Sequence, residues 1–358
     1  MEALKGLILS GGAGTRLRPI THTSAKQLVP VANKPVLFYG IEALVEAGIT
    51  EIGIIIAPDT GEEIREAAGD GSAFGASITY IPQQQPLGLA HAVLTAEQFL
   101  GESPFVMYLG DNLLRDGITE LVGAFREHQP EALILLTRVP DPWHYGVAEL
   151  DGDTIVRLVE KPKDPPSHMA LVGVYMFTPQ IFAAARAIEP SGRGELEITD
   201  AIQQLIDHGA KVESHTVGGW WKDTGQLSDM LEANRLVLED LERRMDGEAD
   251  EETRVEGRVA IEAGAKLERS VVRGPAVIGA GTRIVDSYIG PYTSIDRDVE
   301  IIGSEVEHSI LLAGACVRDL DTRIEASLLG RNVKLTRGEA LPKTLRMIVG
   351  DNSEVQIP

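Results

Sequence analysis

The sequence predicts an α/β protein with two domains: a mostly parallel, Rossmann-like sheet with helices on both faces, followed by a left-handed parallel β-helix. Three observations predict this architecture. The chain has 358 residues, more than one typical hydrophobic core accommodates. Strand and helix patterns alternate over residues 1 to about 235, which is typical of a parallel sheet. After residue 255 aliphatic residues recur at every sixth position, which is typical of a β-helix.

The alternation in the first part consists of short apolar runs separated by helical patterns. Near-continuous apolar runs indicate strands that are buried on both faces of a sheet. These runs lie at 4–9, 52–57, 105–109, 133–137, 171–177 and 212–217. Apolar residues at helical spacing predict helices at 36–47, 89–100, 118–128, 181–187, 198–208 and 226–245. A β-hairpin is predicted where two apolar runs flank Asp151-Gly152-Asp153.

The second domain is predicted from a repeat. Val255, Ile261 and Leu267 are six residues apart. A larger step overlies this spacing: Ser287 follows Ser270 by 17 residues, and Ser327 follows Ser309 by 18. Three faces of about six residues make one coil of a β-helix, so the two periods agree. An irregular β-sandwich is the alternative interpretation. We therefore expect an α/β domain over 1–245, an acidic linker over 246–254 and a β-helix domain over 255–358.

Composition restricts the class of protein. The formal net charge of -21 disfavours a nucleic acid as partner, because phosphate backbones require a cationic surface. The apolar runs are far too short to span a bilayer. The first residues enter a strand pattern without a signal-peptide pattern, so we expect a cytoplasmic protein. The single cysteine, Cys316, fits a reducing compartment and is read as a small buried apolar side chain.

A glycine-rich loop with cations follows the first strand. Its glycines are Gly11, Gly12 and Gly14, and it continues with Thr15 and Arg16, with Lys26 ten residues further on. Glycines let backbone N–H groups approach an anion, and cations bind phosphate. The loop matches neither a Walker A motif nor the G-x-G-x-x-G fingerprint, because Leu17 stands at the third glycine position. An ordinary glycine turn is the alternative.

Two carboxylates follow predicted strands or precede predicted helices. Asp111 follows the apolar run 105–109, one residue after Gly110, and Asp223 lies just before the helix predicted from residue 226. Mg²⁺ usually takes one or two protein carboxylates and completes its coordination with water and phosphate oxygens. A turn or N-cap role is the alternative for each. Two carboxylates could also serve a glycosidase, but a glycosidase site would leave the glycine and cation loop unexplained.

Three further segments carry polar side chains suited to ligands. Gln83 presents both an acceptor and donors, which suits a base edge, and Gly88 allows close approach before a helix. Glu160 and Lys161 end a hairpin strand, although Glu-Lys is also a common surface pair. The segment 193–200, RGELEITD, contains an Arg and paired Glu that could shape a sugar pocket; the alternative is a helix cap.

These motifs resemble, in order, those of the sugar-1-phosphate nucleotidylyltransferases. The matching segments are GGAGTRLRPIT, KQLVPVANKP, LGDN, EKP, GELEITD and WKDTG, and they cover residues 4 to about 234. KQL and GELEITD resemble the glucose-1-phosphate thymidylyltransferase branch. The resemblance implies that dTTP and α-D-glucose 1-phosphate give dTDP-glucose and pyrophosphate, with Mg²⁺, by in-line attack of the sugar phosphate on the α-phosphorus. The domain 1–245 would then be catalytic.

The resemblance also implies roles for individual residues. Gly11, Gly12, Gly14 and Thr15 would hold the triphosphate, and Arg16 and Lys26 would stabilise the α-phosphate and the leaving pyrophosphate. Asp111 and Asp223 would hold Mg²⁺, and Gln83 and Gly88 would contact the thymine. Lys161 would orient the attacking phosphate. The glucose pocket would be lined by Gly146, Glu160 and Leu171.

The second domain resembles the long form of this family, and we expect a structural role and a homo-oligomer. Some relatives use a β-helix for acyl transfer, but His308 lies in no recognisable acyltransferase motif. Two alternatives keep the nucleotide: the same chemistry with UTP or another sugar 1-phosphate, and a regulatory subunit that binds nucleotide sugars without catalysis. A fourth hypothesis is a bifunctional enzyme with an acyltransferase β-helix.

Overall fold

The computed structural model describes residues 3–12, 14–337, 349 and 351–356. The chain divides into two compact units. The first comprises Met1–Ala13, Ser24–Leu28 and Val36–Asp223, and the second comprises Gly14–Thr23, Val29–Pro35 and Thr224–Pro358. The units differ from the domains expected from the sequence, because two short N-terminal segments belong to the second unit and the later boundary falls after Asp223.

Thirteen strands and seven α-helices are described up to residue 223. The strands are β1 Lys5–Ser10, β2 Pro30–Val31, β3 Lys34–Pro35, β4 Glu51–Ile56, β5 Ser77–Pro82, β6 Phe105–Leu109, β7 Asn112–Leu114, β8 Ala132–Arg138, β9 Gly146–Asp151, β10 Thr154–Glu160, β11 Met169–Phe177, β12 Val212–Thr216 and β13 Trp221–Asp223. The helices are α1 Val36–Glu46, α2 Gly61–Ala68, α3 Leu89–Thr95, α4 Glu97–Leu100, α5 Thr119–His128, α6 Gln180–Ala187 and α7 Ile198–Asp207.

The first unit contains a nine-stranded sheet whose main path runs β10-β9-β11-β6-β1-β4-β5, with β8 and β12 joined through β11. The centre is parallel, because β1 pairs in parallel with both β4 and β6, and β4 with β5. The remainder is mixed: β11 runs antiparallel to β6, β8 and β9. The predicted hairpin is confirmed as β9 and β10. Strand β5 and helix α2 were not predicted.

The two faces of this sheet carry separate apolar cores. Leu7 and Leu9 of β1 belong to the core that also contains side chains of α3, α6 and α7. Ile8, between them, belongs to the core that contains side chains of α1, α2 and α5. Side chains alternate between faces along a strand, so one apolar run supplies both cores. The expected helices on both faces are confirmed.

After residue 223 the described residues form one α-helix, α8, and three stacked parallel sheets. The elements are α8 Leu227–Glu239, β14 Arg244–Met245, β15 Glu248–Ala249, β16 Arg254–Glu256, β17 Val259–Ile261, β18 Lys266–Glu268, β19 Val271–Arg273, β20 Ala276–Ile278, β21 Arg283–Val285, β22 Tyr288–Ile289, β23 Thr293–Ile295, β24 Glu300–Ile302, β25 Glu305–Glu307, β26 Ile310–Leu311, β27 Cys316–Arg318, β28 Ile324–Glu325, β29 Leu328–Leu329 and β30 Lys334–Thr336. Every third strand joins the same sheet, which is the arrangement of a β-helix with three faces.

The repeat in the sequence follows from stacking between coils. Ile261 lies opposite Ile278, and Ile278 opposite Ile295, so each coil places the same residue type at the same corner of the core. The serines fulfil a second requirement. The Ser270 hydroxyl accepts a hydrogen bond from the Ser287 N–H at 3.1 Å, one coil further along. A buried backbone N–H needs such a partner.

The β-helix begins earlier than the sequence predicted. The expected final helix of the first domain, 226–245, ends at Glu239. Strand β14 then pairs with β17, and β15 pairs with β18. Most of the stretch 244–256, which includes the expected linker, therefore forms a first coil. Among the residues described, no helix is long and apolar enough to cross a membrane.

Candidate active site

The glycine loop and Asp111 leave the sheet side by side. Strands β1 and β6 are parallel neighbours, with Leu9 opposite Leu109, so both open at the same edge. A Cβ on Gly110 would lie 2.5 Å from Ser10 Oγ, so the close approach of the two strand ends requires a glycine there. Ligands of α/β sheets bind at this carboxyl edge. The geometry therefore supports the expected position of the site within the first unit.

Lys26 lies at the same edge and forms an ion pair with Asp111. Its Nζ donates to Asp111 Oδ2, and a Cβ on Gly12 would lie 3.9 Å from Nζ. Both side chains of the pair are 14% exposed. Burial alone would raise the pKa of Asp111, but the Lys26 ammonium and the Asn112 amide bring it below its usual value. Asp111 is therefore held as a carboxylate.

A short strand pair places Asp223 opposite the residue that follows Asp111. Strand β13 runs antiparallel to β7 and places Asp223 opposite Asn112. Asn112, only 2% exposed, fixes the arrangement. Its amide donates to Asp111 Oδ1 at 3.0 Å, and its Oδ1 accepts from the Trp221 indole at 2.6 Å. The same oxygen accepts from the Gly173 N–H at 3.1 Å.

Two carboxylates at adjoining strand ends fit the requirements of Mg²⁺, which is bound by one or two carboxylates while phosphates and water supply the remaining oxygens. A site built from protein side chains alone is not indicated, because no group of three or more His, Cys, Asp or Glu with metal-binding geometry occurs among residues 3–12 and 14–337 or the few described beyond them. The donor set therefore suits a metal that arrives with a phosphate ligand.

A second group of residues surrounds Gln83. This side chain is 8% exposed, and a Cβ on Gly11 would lie 3.2 Å from its Oε1. Its Nε2 lies 2.8 Å from His91 Nδ1. Gly88 has a φ of 104°, and a Cβ there would lie 2.4 Å from the Leu196 carbonyl oxygen, so no other residue fits. The structure thus places Gln83 beside the glycine loop, as the hypothesis of base recognition requires.

A third group forms around Gly146 at the start of β9. Gly146 lies opposite Glu160. A Cβ on Gly146 would lie 2.7 Å from Thr199 Cγ2, 3.2 Å from Glu160 Oε2 and 3.7 Å from Leu171 Cδ2. Glu160 and Leu171, both expected to line the glucose pocket, therefore lie close to Gly146, as does Thr199 at the start of α7.

Glu160 is surrounded by cations and hydroxyls. It accepts from Arg193 Nη2 at 3.2 Å and from Thr199 Oγ1 at 3.2 Å, and Lys161 Nζ lies 3.4 Å away. Burial raises the pKa of Glu160 above its usual value, and the nearby Glu197 carboxylate raises it further, against the opposing effect of Lys161 and Arg193. A carboxylate held in this way is an acceptor for sugar hydroxyl groups.

The remaining residues of the predicted phosphate loop belong to the second unit. Gly14, with a φ of 61°, precedes a short 3-10 helix, Thr15–Leu17. The Thr21 hydroxyl donates to the Gly14 carbonyl at 2.7 Å and stabilises this turn. Thr15 and Arg16 are exposed. Their roles in triphosphate binding stay predictions.

Two residues that matter to the geometry, Asn112 and His91, were not predicted as site residues. Asn112 was passed over because it directly follows Asp111, although a buried amide in an apolar run requires partners. His91 was passed over because one histidine in an amphipathic helix has no special pattern. Both act through a predicted site residue, Asn112 through Asp111 and His91 through Gln83.

A strand edge that opens into a glycine loop, with a largely buried Lys26–Asp111 ion pair and with Asp223 opposite Asn112, suits transfer chemistry on a nucleotide. The chain belongs to the nucleotidyl transferase family, which it matches over residues 5–240. Within that class it is similar along nearly its whole length to glucose-1-phosphate thymidylyltransferases. The one from Streptomyces antibioticus is 58% identical, and the one from Streptomyces griseus is 56% identical, each with 99% of both chains covered.

A solved structure gives the same relationship for the α/β fold. It is described as a glucose-1-phosphate thymidylyltransferase from Bacillus anthracis in complex with sucrose. The two are 36% identical, with a TM-score of 0.64, and the match covers 68% of this chain and 98% of the other. The Bacillus chain thus matches about two thirds of this one, whereas the Streptomyces proteins match it nearly from end to end.

Proposed function

We propose that the protein is a glucose-1-phosphate thymidylyltransferase that makes dTDP-glucose and pyrophosphate from dTTP and α-D-glucose 1-phosphate. The observation that carries the proposal is the convergence, at one sheet edge, of Lys26, Asp111 and Gly12, with Asp223 on the adjoining strand. The full-length similarity to thymidylyltransferases supports the choice of nucleotide and sugar.

The ion pair of Lys26 with Asp111 explains how this edge would receive a metal and a triphosphate together. Either ligand alone would separate the pair and forfeit the attraction between its two charges, which is unfavourable in a partly buried site. A magnesium triphosphate supplies a cation for Asp111 and phosphate oxygens for Lys26 in the same step. The glycine loop leaves its backbone N–H groups accessible to the phosphates.

Mg²⁺ would be held by Asp111 and Asp223 and would neutralise charge on the phosphates. Lys26 would stabilise the negative charge that grows on the leaving pyrophosphate. Transfer to phosphorus depends mainly on positioning and charge neutralisation, so no covalent intermediate on the protein is required.

The sugar phosphate would be oriented by the third group of residues. Glu160 would accept hydroxyl hydrogen bonds, and the missing side chain of Gly146 would leave room for the ring. Lys161, 44% exposed and next to Glu160, would hold the attacking phosphate. We propose no reaction for the β-helix, and we keep the expectation that it supports a homo-oligomer.

The test is pyrophosphate release with Mg²⁺ across a matrix of dTTP, UTP, ATP and GTP against several sugar 1-phosphates. We expect dTTP with glucose 1-phosphate to give the highest kcat/KM. Absence of release in every combination would overturn the assignment, and a preference for UTP would support the alternative nucleotide.

A pair of matched variants tests the site itself. Asp111→Asn should lower kcat by at least about 100-fold, with an unchanged circular dichroism spectrum. The control is Asp116→Asn, the same substitution on a nearby side chain that is 62% exposed, which should leave turnover within about twofold of the wild type.

A further inference from the structure

The buried amide of Gln83 is held in one orientation by two neighbours. Its Nε2 lies 3.4 Å from the Gly88 carbonyl oxygen and 2.8 Å from His91 Nδ1. A carbonyl oxygen can only accept, so the NH₂ end of the amide must face Gly88. That orientation leaves Nδ1 as the acceptor of the second amide hydrogen, and neutral His91 then carries its proton on Nε2.

The opposite end of the amide points at the glycine loop. A Cβ on Gly11 would lie only 3.2 Å from Gln83 Oε1, so Oε1 lies directly against the loop at a position where Gly11 has no side chain. Gln83 therefore offers an acceptor, and not a donor, to a ligand at the loop. A rotation of 180° about the last side-chain bond would exchange the two ends, and the two neighbours of Nε2 oppose that rotation.

The two neighbours are themselves fixed. Gly88 is packed against the backbone of Leu196, and α3 starts at the next residue. His91 follows three positions later on α3, and its carbonyl accepts from Thr95 Oγ1 at 2.8 Å. A support on a helix holds a side chain more precisely than one on a loop.

We propose that His91 is a positioning residue for base recognition: by accepting from Gln83 it keeps the Gln83 carbonyl directed at the nucleobase. The inference rests on the proposed function, in which Gln83 contacts the base. Thymine and uracil present an N3–H donor to such an acceptor, whereas cytosine presents an acceptor at N3. The His91–Gln83 pair would therefore select pyrimidines that carry an imide.

The experiment compares His91→Leu, which keeps bulk but removes the acceptor, with His91→Asn, whose Oδ1 can take the place of Nδ1. Initial rates are measured with dTTP and with dCTP, at saturating and limiting glucose 1-phosphate. For His91→Leu we expect the KM for dTTP to rise about tenfold and the dTTP over dCTP preference to fall about tenfold, as for loss of one hydrogen bond. The kcat and the KM for glucose 1-phosphate should stay within about twofold. His91→Asn should restore both nucleotide parameters to within about threefold of wild type.

Equal dTTP preference in His91→Leu and wild type would overturn the proposal, as would a loss that His91→Asn does not restore. A fall in kcat with no change in base preference would also overturn it, because a merely structural role predicts that pattern. If His91→Leu does not fold, as judged by circular dichroism, the same comparison is made with His91→Ala. Turnover of dTTP by the wild type tests the proposed function alone. Failure of the proposed function would therefore show as absent turnover in the wild type, whereas failure of this proposal would show only in the His91 variants.

Discussion

The ion pair between Lys26 and Asp111 yields a prediction about stability. Replacing Lys26 with Met leaves the Asp111 carboxylate in a site where its side chain is 14% exposed, without its cation. Removing one partner of a buried pair costs about 3–5 kcal/mol. The remaining exposure favours the lower end, so we expect Lys26→Met to lower the free energy of unfolding by about 3 kcal/mol at pH 8.

Asp111→Asn should cost less, about 1 kcal/mol, because the amide oxygen still accepts a hydrogen bond and Lys26 has a long flexible side chain that can reach water. The double variant Lys26→Met/Asp111→Asn carries neither charge, so no buried charge loses its partner. Its cost should be smaller than the sum of the single costs by about 2 kcal/mol, which is the coupling free energy of the pair.

The difference in unfolding free energy between the wild type and Lys26→Met should depend on pH. In the wild type the pKa of Asp111 is depressed, so its contribution to stability is complete above the unfolded value of about 3.9 and is lost as pH falls through the folded value. In Lys26→Met burial persists without the ammonium, so the folded pKa rises above the unfolded value. The folded variant then binds a proton more readily than the unfolded variant does. The difference in unfolding free energy between the variant and the wild type should therefore narrow as pH falls from 8 to about 5.

Urea unfolding followed by tryptophan fluorescence measures these quantities. The three tryptophans are Trp143, Trp220 and Trp221, all in the first unit, so their emission reports on the unit that contains the pair. Strictly additive costs, or a gap that widens as pH falls, would refute the electrostatic reasoning.

Two further predictions concern the sugar side. Lys161→Ala should raise the KM for glucose 1-phosphate about tenfold or more, because Lys161 would contact only the attacking phosphate. Calorimetry should show a dTTP affinity within about twofold of the wild type. Lys163→Ala, at an exposed position, is the control, and equal losses for both ligands in Lys161→Ala would contradict this role. Gly146→Ala should also raise the KM for glucose 1-phosphate about tenfold, because the added Cβ would lie 2.7 Å from Thr199 Cγ2 and fill the pocket. Restoration of the KM by a second substitution, Thr199→Ser, would support the steric reason. An unchanged KM in Gly146→Ala would disprove it.

Local pattern determined much of the fold. The apolar run at 105–109 predicted β6 to the residue, and most helices were predicted within one or two positions. The six-residue period predicted the coils, because each coil repeats one local geometry. Strand β5 was missed since its apolar residues alternate with polar ones at the sheet edge and it ends at Pro82. The end of α8 was misplaced, because Met245 pairs with Ile261 instead of continuing a helix.

The candidate site shows the same division between local and distant information. The sequence by itself determined which residues carry the chemistry: a glycine loop, Lys26, Asp111 and Glu160 have side chains that suit phosphates, metals and sugars wherever the fold places them. Only the tertiary structure decided which of them meet. Lys26 and Asp111 are 85 positions apart, and their pairing, like the contact of Gln83 with His91, follows from strand order and helix packing. Such contacts depend on the burial of the whole unit, and no local pattern records them.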